Sequence, residues 1–136
     1  MSHDERDELL SAARTAQPNA HAPYSGFKVG AAVRGASGRV YAGVNVENSS
    51  YPVGVCAERS AIAAAVTAGE TSLEAVAVVT DMARPAAPCG MCRQALAEFG
   101  SGMVVHLGGS APEVPVRTVS LEDLLPEFFD GSMLKP

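Results

Sequence analysis

Apolar positions along the chain change period several times, and each change marks an element. Over 4–16, Leu9, Leu10, Ala13 and Ala16 recur at helical spacing, and Asp4, Glu5, Asp7 and Glu8 crowd the first turns, where the helix macrodipole favours negative charge. Gln17-Pro18-Asn19 stops this helix, and Pro23-Tyr24-Ser25-Gly26 reads as a turn. A strand is predicted over 27–33, with small residues that admit a neighbouring backbone, then a hairpin turn at Ala36-Ser37-Gly38 and a returning antiparallel strand over 39–46. After a polar loop, a helix over 57–68 carries alanines, Ile62 and Val66 on every side. A helix apolar all round is a buried one, and in so short a chain part of it is expected to pack against another subunit. Gly69 ends it. Residues 73–80 are rich in Val and Ala without alternation, as in a central strand covered on both faces. A helix over 89–99, a strand over 103–107 and a short edge strand over 114–119 follow, the last placed at an edge because Pro115 has no N–H to donate. Ser120 caps a final helix over 121–125, and Pro126 opens an irregular tail.

The resulting order, α-β-β-α-β-α-β-β-α, predicts an α/β chain: a three-layer α/β/α sandwich around a five-stranded mixed sheet. Right-handed crossovers bring the starts of the second and third helices to the same edge of that sheet. With 136 residues, 47% of them hydrophobic, one domain over 1–136 with a true core is expected.

Charge narrows the partners. A net charge of −5 disfavours polynucleotides, which select a basic face, and favours a small substrate. The polar, acidic start lacks the apolar segment of a signal peptide, and no apolar run approaches the roughly 18 residues of a membrane span, so a cytoplasmic, membrane-free protein is expected. Three cysteines do not make a disulfide framework; in a reducing compartment they read as metal or redox chemistry.

All three lie in Cys56-Ala57-Glu58 and Pro88-Cys89-Gly90-Met91-Cys92, and each stretch opens a predicted helix. Unsatisfied N–H groups at a helix start stabilise a nearby anion by roughly 0.3–1 kcal/mol, so thiolates are favoured there. Two such starts facing one another would gather three sulfurs around one cation, for which zinc is the natural candidate. Zinc is nearly always four-coordinate, and three cysteines leave a vertex for solvent. Glu58, two residues past a ligand, is then placed as a proton carrier. A structural zinc site is the rival reading; it needs a fourth ligand, and the three imidazoles lie in a tail (His3), a loop (His21) and a strand (His106). Taken alone, Phe27 reads as core and Glu47 as a solvated loop acid, while Tyr51, Phe128 and Phe129 read equally as packing residues.

Cys-x-Glu joined to Pro-Cys-x-x-Cys resembles the zinc-dependent nucleoside and nucleobase deaminases. The likeness extends to Tyr-Ser-Gly-Phe-Lys-Val-Gly-Ala around Phe27, Asn45-Val46-Glu47-Asn48, Cys56-Ala57-Glu58-Arg59, Pro88 through Gln94, and Leu124-Leu125-Pro126 with a following Phe, which are arranged as in the small homotetrameric cytidine deaminases. The resemblance implies one Zn2+ per subunit held by Cys56, Cys89 and Cys92, with Glu58 as general acid and base. It implies that Asn45 and Glu47 bind the ribose 3′-hydroxyl, that Phe27 packs on the base or sugar, and that the backbone N–H of Ala57 holds the base carbonyl. Tyr51 and Phe129 would reach a neighbouring subunit's site, while Arg59 and Gln94 would support the ligand sulfurs and withdraw charge from them. Met91 stands where the family has a small residue. The implied reaction is hydrolysis of cytidine and 2′-deoxycytidine to the uridines with release of ammonia, in pyrimidine salvage, by a homotetramer with shared sites. Two alternatives stay open: a deaminase of another aminopyrimidine nucleoside, such as a nucleoside antibiotic, and a non-enzymatic structural zinc module.

Overall fold

Leu9, Leu10 and Ala13 form one stripe of helix α1 (His3–Ala16), and that stripe is buried against a sheet surface built largely of alanine. The sheet, in a computed structural model describing residues 3–134, contains β1 (Gly30–Gly35), β2 (Val40–Val44), β3 (Leu73–Thr80), β4 (Val104–Gly109) and β5 (Arg117–Ser120) in the spatial order β2-β1-β3-β4-β5. Only β3 and β4 pair in parallel; the other neighbours are antiparallel, so the sheet is mixed, as expected. Residues 1–2 and 135–136 of the expected 1–136 unit lie outside the described residues.

Alternation along the central strands sorts the two faces. Ala32, Ala75, Ala77 and Val79 meet α1 on one side. Val33, Val76, Val78, Val105 and Leu107 meet α2 (Ala57–Thr67), α3 (Gly90–Ala97) and α4 (Leu121–Leu124) on the other. Two glycines set how close the layers come. A Cβ on Gly30 would lie 2.1 Å from the Ala13 carbonyl oxygen of α1, and one on Gly43 would lie 2.3 Å from the Ala61 nitrogen of α2. The strand thus carries no side chain where each helix crosses it, and α2 rests directly on the sheet.

Several boundaries differ from expectation, for local reasons. The first strand begins at Gly30 rather than at Phe27, because the Asn45 side chain takes the hydrogen bonds of this stretch: its Nδ2 donates to Phe27 O (2.8 Å) and its Oδ1 accepts from Val29 N (2.8 Å). The edge strand begins at Arg117, leaving Pro115 outside the ladder. Helix α2 is not buried all round: Ala63, Ala64 and Val66 are exposed on the single chain, while Ala57, Ala61, Ile62 and Ala65 face the core. Gly69 ends it at a φ of 103°, and Ser120 caps α4 by accepting from Asp123 N (3.2 Å).

Buried polar groups tie the layers where apolar contact is thin. Arg34 of β1 is 6% exposed and donates to Gly38 O (2.9 Å), Glu5 O (3.2 Å) and Glu8 Oε1 (3.3 Å), joining sheet, hairpin and α1. Glu70, just past α2, accepts from the Ser37 hydroxyl and from Tyr41 OH (2.7 Å), anchoring the β1–β2 hairpin to the end of that helix. His106 of β4 is 3% exposed, and its Nδ1 lies 2.9 Å from Thr118 Oγ1. Burial, with a smaller contribution from the Arg6 guanidinium, holds its pKa below the ordinary value.

Two outcomes follow from this packing. Gly43→Ala should lower stability by about 1–3 kcal/mol in thermal denaturation, because α2 cannot retreat from β2 without opening the core behind it. His106 binds its proton less readily folded than unfolded, so its contribution is complete above the unfolded pKa, 6.5, and is lost as pH falls through that value towards the folded pKa. His106→Gln should therefore flatten the loss of melting temperature on acidification below about pH 6.5, measured by calorimetry across a pH series.

Candidate metal centre and cleft

Cys56 and Cys89 are the N-cap residues of α2 and α3, both in extended backbone conformation. Cys92, one turn into α3, is fully buried. The three Sγ atoms lie within 4.8 Å of one another, although Cys56 and Cys89 are 33 positions apart in the chain. The β3-to-α3 connection and the seating of α2 on β2 bring the two helix starts together, as the crossover argument predicts.

Such crowding is hostile to charge. Burial pushes the Cys92 thiol well above its usual pKa, and the nearby Glu58 and Cys56 push it further. For Cys89, burial opposes ionisation but is outweighed by hydrogen bonds from the Cys92 and Met91 N–H groups and from the Cys92 and Cys56 side chains, so its pKa is lowered. One sulfur favours the thiolate and its neighbour resists it, and a bound cation resolves the conflict by stabilising all three as thiolates. Three soft sulfur donors at this spacing fit Zn2+, whose thiolate ligands at about 2.3 Å sit about 3.8 Å apart in a tetrahedral site.

Around the sulfurs, Arg59 packs its guanidinium against Cys56 and Cys92. Burial disfavours its charge, but the two sulfurs more than offset this and hold its pKa above the ordinary value; its Nε has no hydrogen-bond partner. Arg93, which follows Cys92, donates from Nε to Pro88 O (2.7 Å) and from Nη1 to Leu124 O (2.7 Å), fastening the loop before Cys89 to the end of α4. Gln94 differs from expectation: its Nε2 donates to Phe129 O (2.8 Å), so it holds the tail rather than a ligand sulfur. The tail aromatics divide accordingly, with Phe128 packed on the core and Phe129 turned outward.

A cleft of about 640 Å³ opens beside the sulfurs. Cys56, Cys89, Ala57 and Glu58 form its floor, and Phe27, Asn45, Glu47 and Tyr51 its walls, so these residues, predicted from four separate segments, meet in one place. Phe129 is absent from the cleft of its own chain. Glu58 is 5% exposed, and burial raises its pKa, against smaller opposing effects of its own backbone N–H and Arg59. Glu47 is shifted the opposite way: hydrogen bonding from Ser25, strengthened by the N–H groups of Ser25 and Tyr24, lowers its pKa. One cleft thus holds a carboxyl group inclined to carry a proton and another inclined to stay ionised.

Sequence reasoning missed several wall residues. Tyr24 and Ser25 line the cleft and bind Glu47, and the Tyr24 ring meets Tyr51 edge-on with centroids 5.8 Å apart. A serine two residues before Phe27 in a Tyr-Ser-Gly turn was the available signal, since such hydroxyls bond the backbone two residues on. Val78 and Thr80, at the end of β3, and Ala86 and Ala87, in the following loop, have no local pattern that marks them as cleft residues.

Comparison with known proteins agrees with this geometry. The sequence profile of the cytidine and deoxycytidylate deaminase zinc-binding region matches residues 3–107. A cytidine deaminase of Sporosarcina psychrophila is 43% identical over 124 residues, covering 90% of each chain. The crystal structure of a cytidine deaminase from Burkholderia pseudomallei superposes with a TM-score of 0.85 at 44% identity, covering 95% of this chain and all of that one. The crystal structure of cytidine deaminase from Mycobacterium tuberculosis gives 0.79 at 39% identity, covering 91% and 96%. The sulfur cluster beside a buried glutamate, the mixed five-stranded sheet and these matches lead to one conclusion: the chain belongs to the cytidine and deoxycytidylate deaminase family.

Proposed function

We propose that this protein is a zinc-dependent hydrolase that converts cytidine and 2′-deoxycytidine to uridine and 2′-deoxyuridine, consuming water and releasing ammonia. The observation that carries the reading is the convergence of Cys56, Cys89 and Cys92 beside the buried Glu58 on the floor of the cleft. Zinc held by the three sulfurs supplies a Lewis acid that makes water nucleophilic near neutral pH.

The chain's own residues do the remainder. Glu58, with its raised affinity for a proton, takes one from the attacking water, delivers it to ring N3 of the pyrimidine, and then assists departure of the amine from C4. Arg59 draws charge from the Cys56 and Cys92 sulfurs, which keeps the metal a stronger Lewis acid than three unassisted thiolates would allow. The Ala57 N–H, one of the N–H groups of the first helical turn without an intrahelical partner, accepts the role of donor to the base carbonyl. Phe27 covers the ring of the base or sugar. Asn45 and Glu47 take the ribose 3′-hydroxyl, and an ionised carboxylate there welcomes a free hydroxyl and repels a phosphate, which favours nucleosides over nucleotides.

The same reading treats residues 1–136 as a single deaminase domain, acting in pyrimidine salvage in the cytoplasm, where three free thiols stay reduced. It also makes the protein a homotetramer. Ala63, Ala64 and Val66 leave an apolar face on α2, and Tyr51, Val53, Met133 and Leu134 expose apolar side chains elsewhere, which supports burial between subunits. Tyr51 and the outward Phe129 are the residues offered to a neighbour's cleft.

Absorbance of cytidine should fall with the purified protein, stop on chelation and resume with added zinc. Glu58→Gln should retain its metal and lose about 10²–10⁴ in kcat. A variant with full activity would remove Glu58 from the proton transfers. Sedimentation equilibrium should return a mass four times the chain's 14.0 kDa.

A further inference from the structure

The Glu47 carboxylate is almost fully occupied before any substrate arrives. Its Oε1 accepts from Tyr24 N (3.0 Å) and Ser25 N (3.1 Å), and its Oε2 accepts from the Ser25 hydroxyl. A carboxylate offers about four lone-pair sites, so roughly one remains, on Oε2. The direction of the Ser25 proton is fixed as well. Its Oγ accepts from Phe27 N (3.0 Å), so the hydroxyl hydrogen points away from that donor and towards Glu47. Phe27 is in turn held by Asn45, whose Nδ2 donates to Phe27 O (2.8 Å) and whose Oδ1 accepts from Val29 N (2.8 Å). Ser25 therefore sits at the junction between the two walls of the cleft: one hydrogen bond orients the carboxylate and another orients the backbone that carries the Phe27 ring.

We propose that Ser25 is a positioning residue for substrate recognition, which together with the Tyr24 N–H saturates all but one acceptor site of Glu47 and aims that last site at a single hydroxyl of the sugar. The inference rests on the reading that Glu47 receives the ribose 3′-hydroxyl. A bare glutamate in a loop would rotate and present any of its lone pairs to water. Tied by three donors it presents one, in a direction set relative to Phe27, so sugar and base are read in a fixed mutual geometry. This lowers the ordering required on binding and leaves the proton chemistry at Glu58 untouched, so its signature is in KM and not in kcat.

Steady-state kinetics of the zinc-loaded enzyme, Ser25→Ala and Ser25→Thr on cytidine and 3′-deoxycytidine test this, with zinc content measured for each. Losing a hydrogen bond to a charged group corresponds to about tenfold or more. Ser25→Ala should therefore raise KM for cytidine about tenfold. Its kcat and zinc content should stay near those of the parent, and Ser25→Thr, which keeps the hydroxyl at an exposed position, should restore KM. On 3′-deoxycytidine the gap between the parent and Ser25→Ala should shrink, because no hydroxyl meets Glu47 and only the lost bond from Phe27 N remains. If the parent handles both nucleosides equally, the assignment of Glu47 to the sugar fails and the proposal with it. If the parent discriminates but Ser25→Ala matches it on cytidine, or is impaired equally on both substrates, or is not rescued by threonine, the role of Ser25 is overturned while the assignment of Glu47 stands.

Discussion

Three sulfur atoms are held within 4.8 Å of one another, and the fully buried one, Cys92, lies beside the carboxyl of Glu58 and resists ionisation. The rest of the architecture can be understood as what is required to bring such a group together and keep it there. Two helices must begin at the same place, so the chain crosses from β3 through α3 to a parallel β4, and α2 lies on β2 with no side chain beneath it at Gly43. Arg93 then fastens the loop that precedes Cys89, and Arg59 adds positive charge beside the sulfurs. A soft divalent cation completes the balance, which is why these sulfurs suit zinc better than they suit being three isolated thiols.

The cleft beside this cluster separates two carboxyl groups by environment. Glu58 is desolvated against the floor, where the charged form is disfavoured, whereas Glu47 is wrapped by donors that favour it. Opposite shifts of two acids in one site are the usual physical sign of divided labour, and the proposed division is between moving a proton and recognising a sugar. The division depends on the surroundings of each acid, since the two are the same residue type. Glu47 owes its shift mainly to Ser25 and to two N–H groups of a turn, which only the fold brings to it from more than twenty residues away.

Support for the cleft comes from parts of the molecule that have no chemistry of their own. Glu70 pins the β1–β2 hairpin to the end of α2, and Arg34 ties the same hairpin to α1. Both are charged groups buried in return for several hydrogen bonds each, which gives the edge of the sheet a fixed shape where hydrophobic contact alone would leave latitude. The tail is held likewise by Arg93 and Gln94, directly after the last ligand, so α3 positions both the sulfurs and the segment that carries Phe129.

The chain by itself determined the element order, the central place of β3, the edge place of β5 and the pairing of Cys-x-Glu with Pro-Cys-x-x-Cys. These rest on local signals: hydrophobic period, turn and cap residues, and ligand spacing within a single helical turn. Its reading of 27–33 as one strand went wrong at Phe27, because an asparagine side chain sixteen residues or more away takes the hydrogen bonds that a ladder would have used. Gln94 was misassigned for a similar reason, since its partner is a carbonyl of the tail. The buried state of Arg34, Glu70 and His106, the outward turn of Phe129 and the opposite leanings of Glu47 and Glu58 were decided only by tertiary structure. Each depends on desolvation and on donors brought from distant segments, and neither quantity exists along a chain until it is folded.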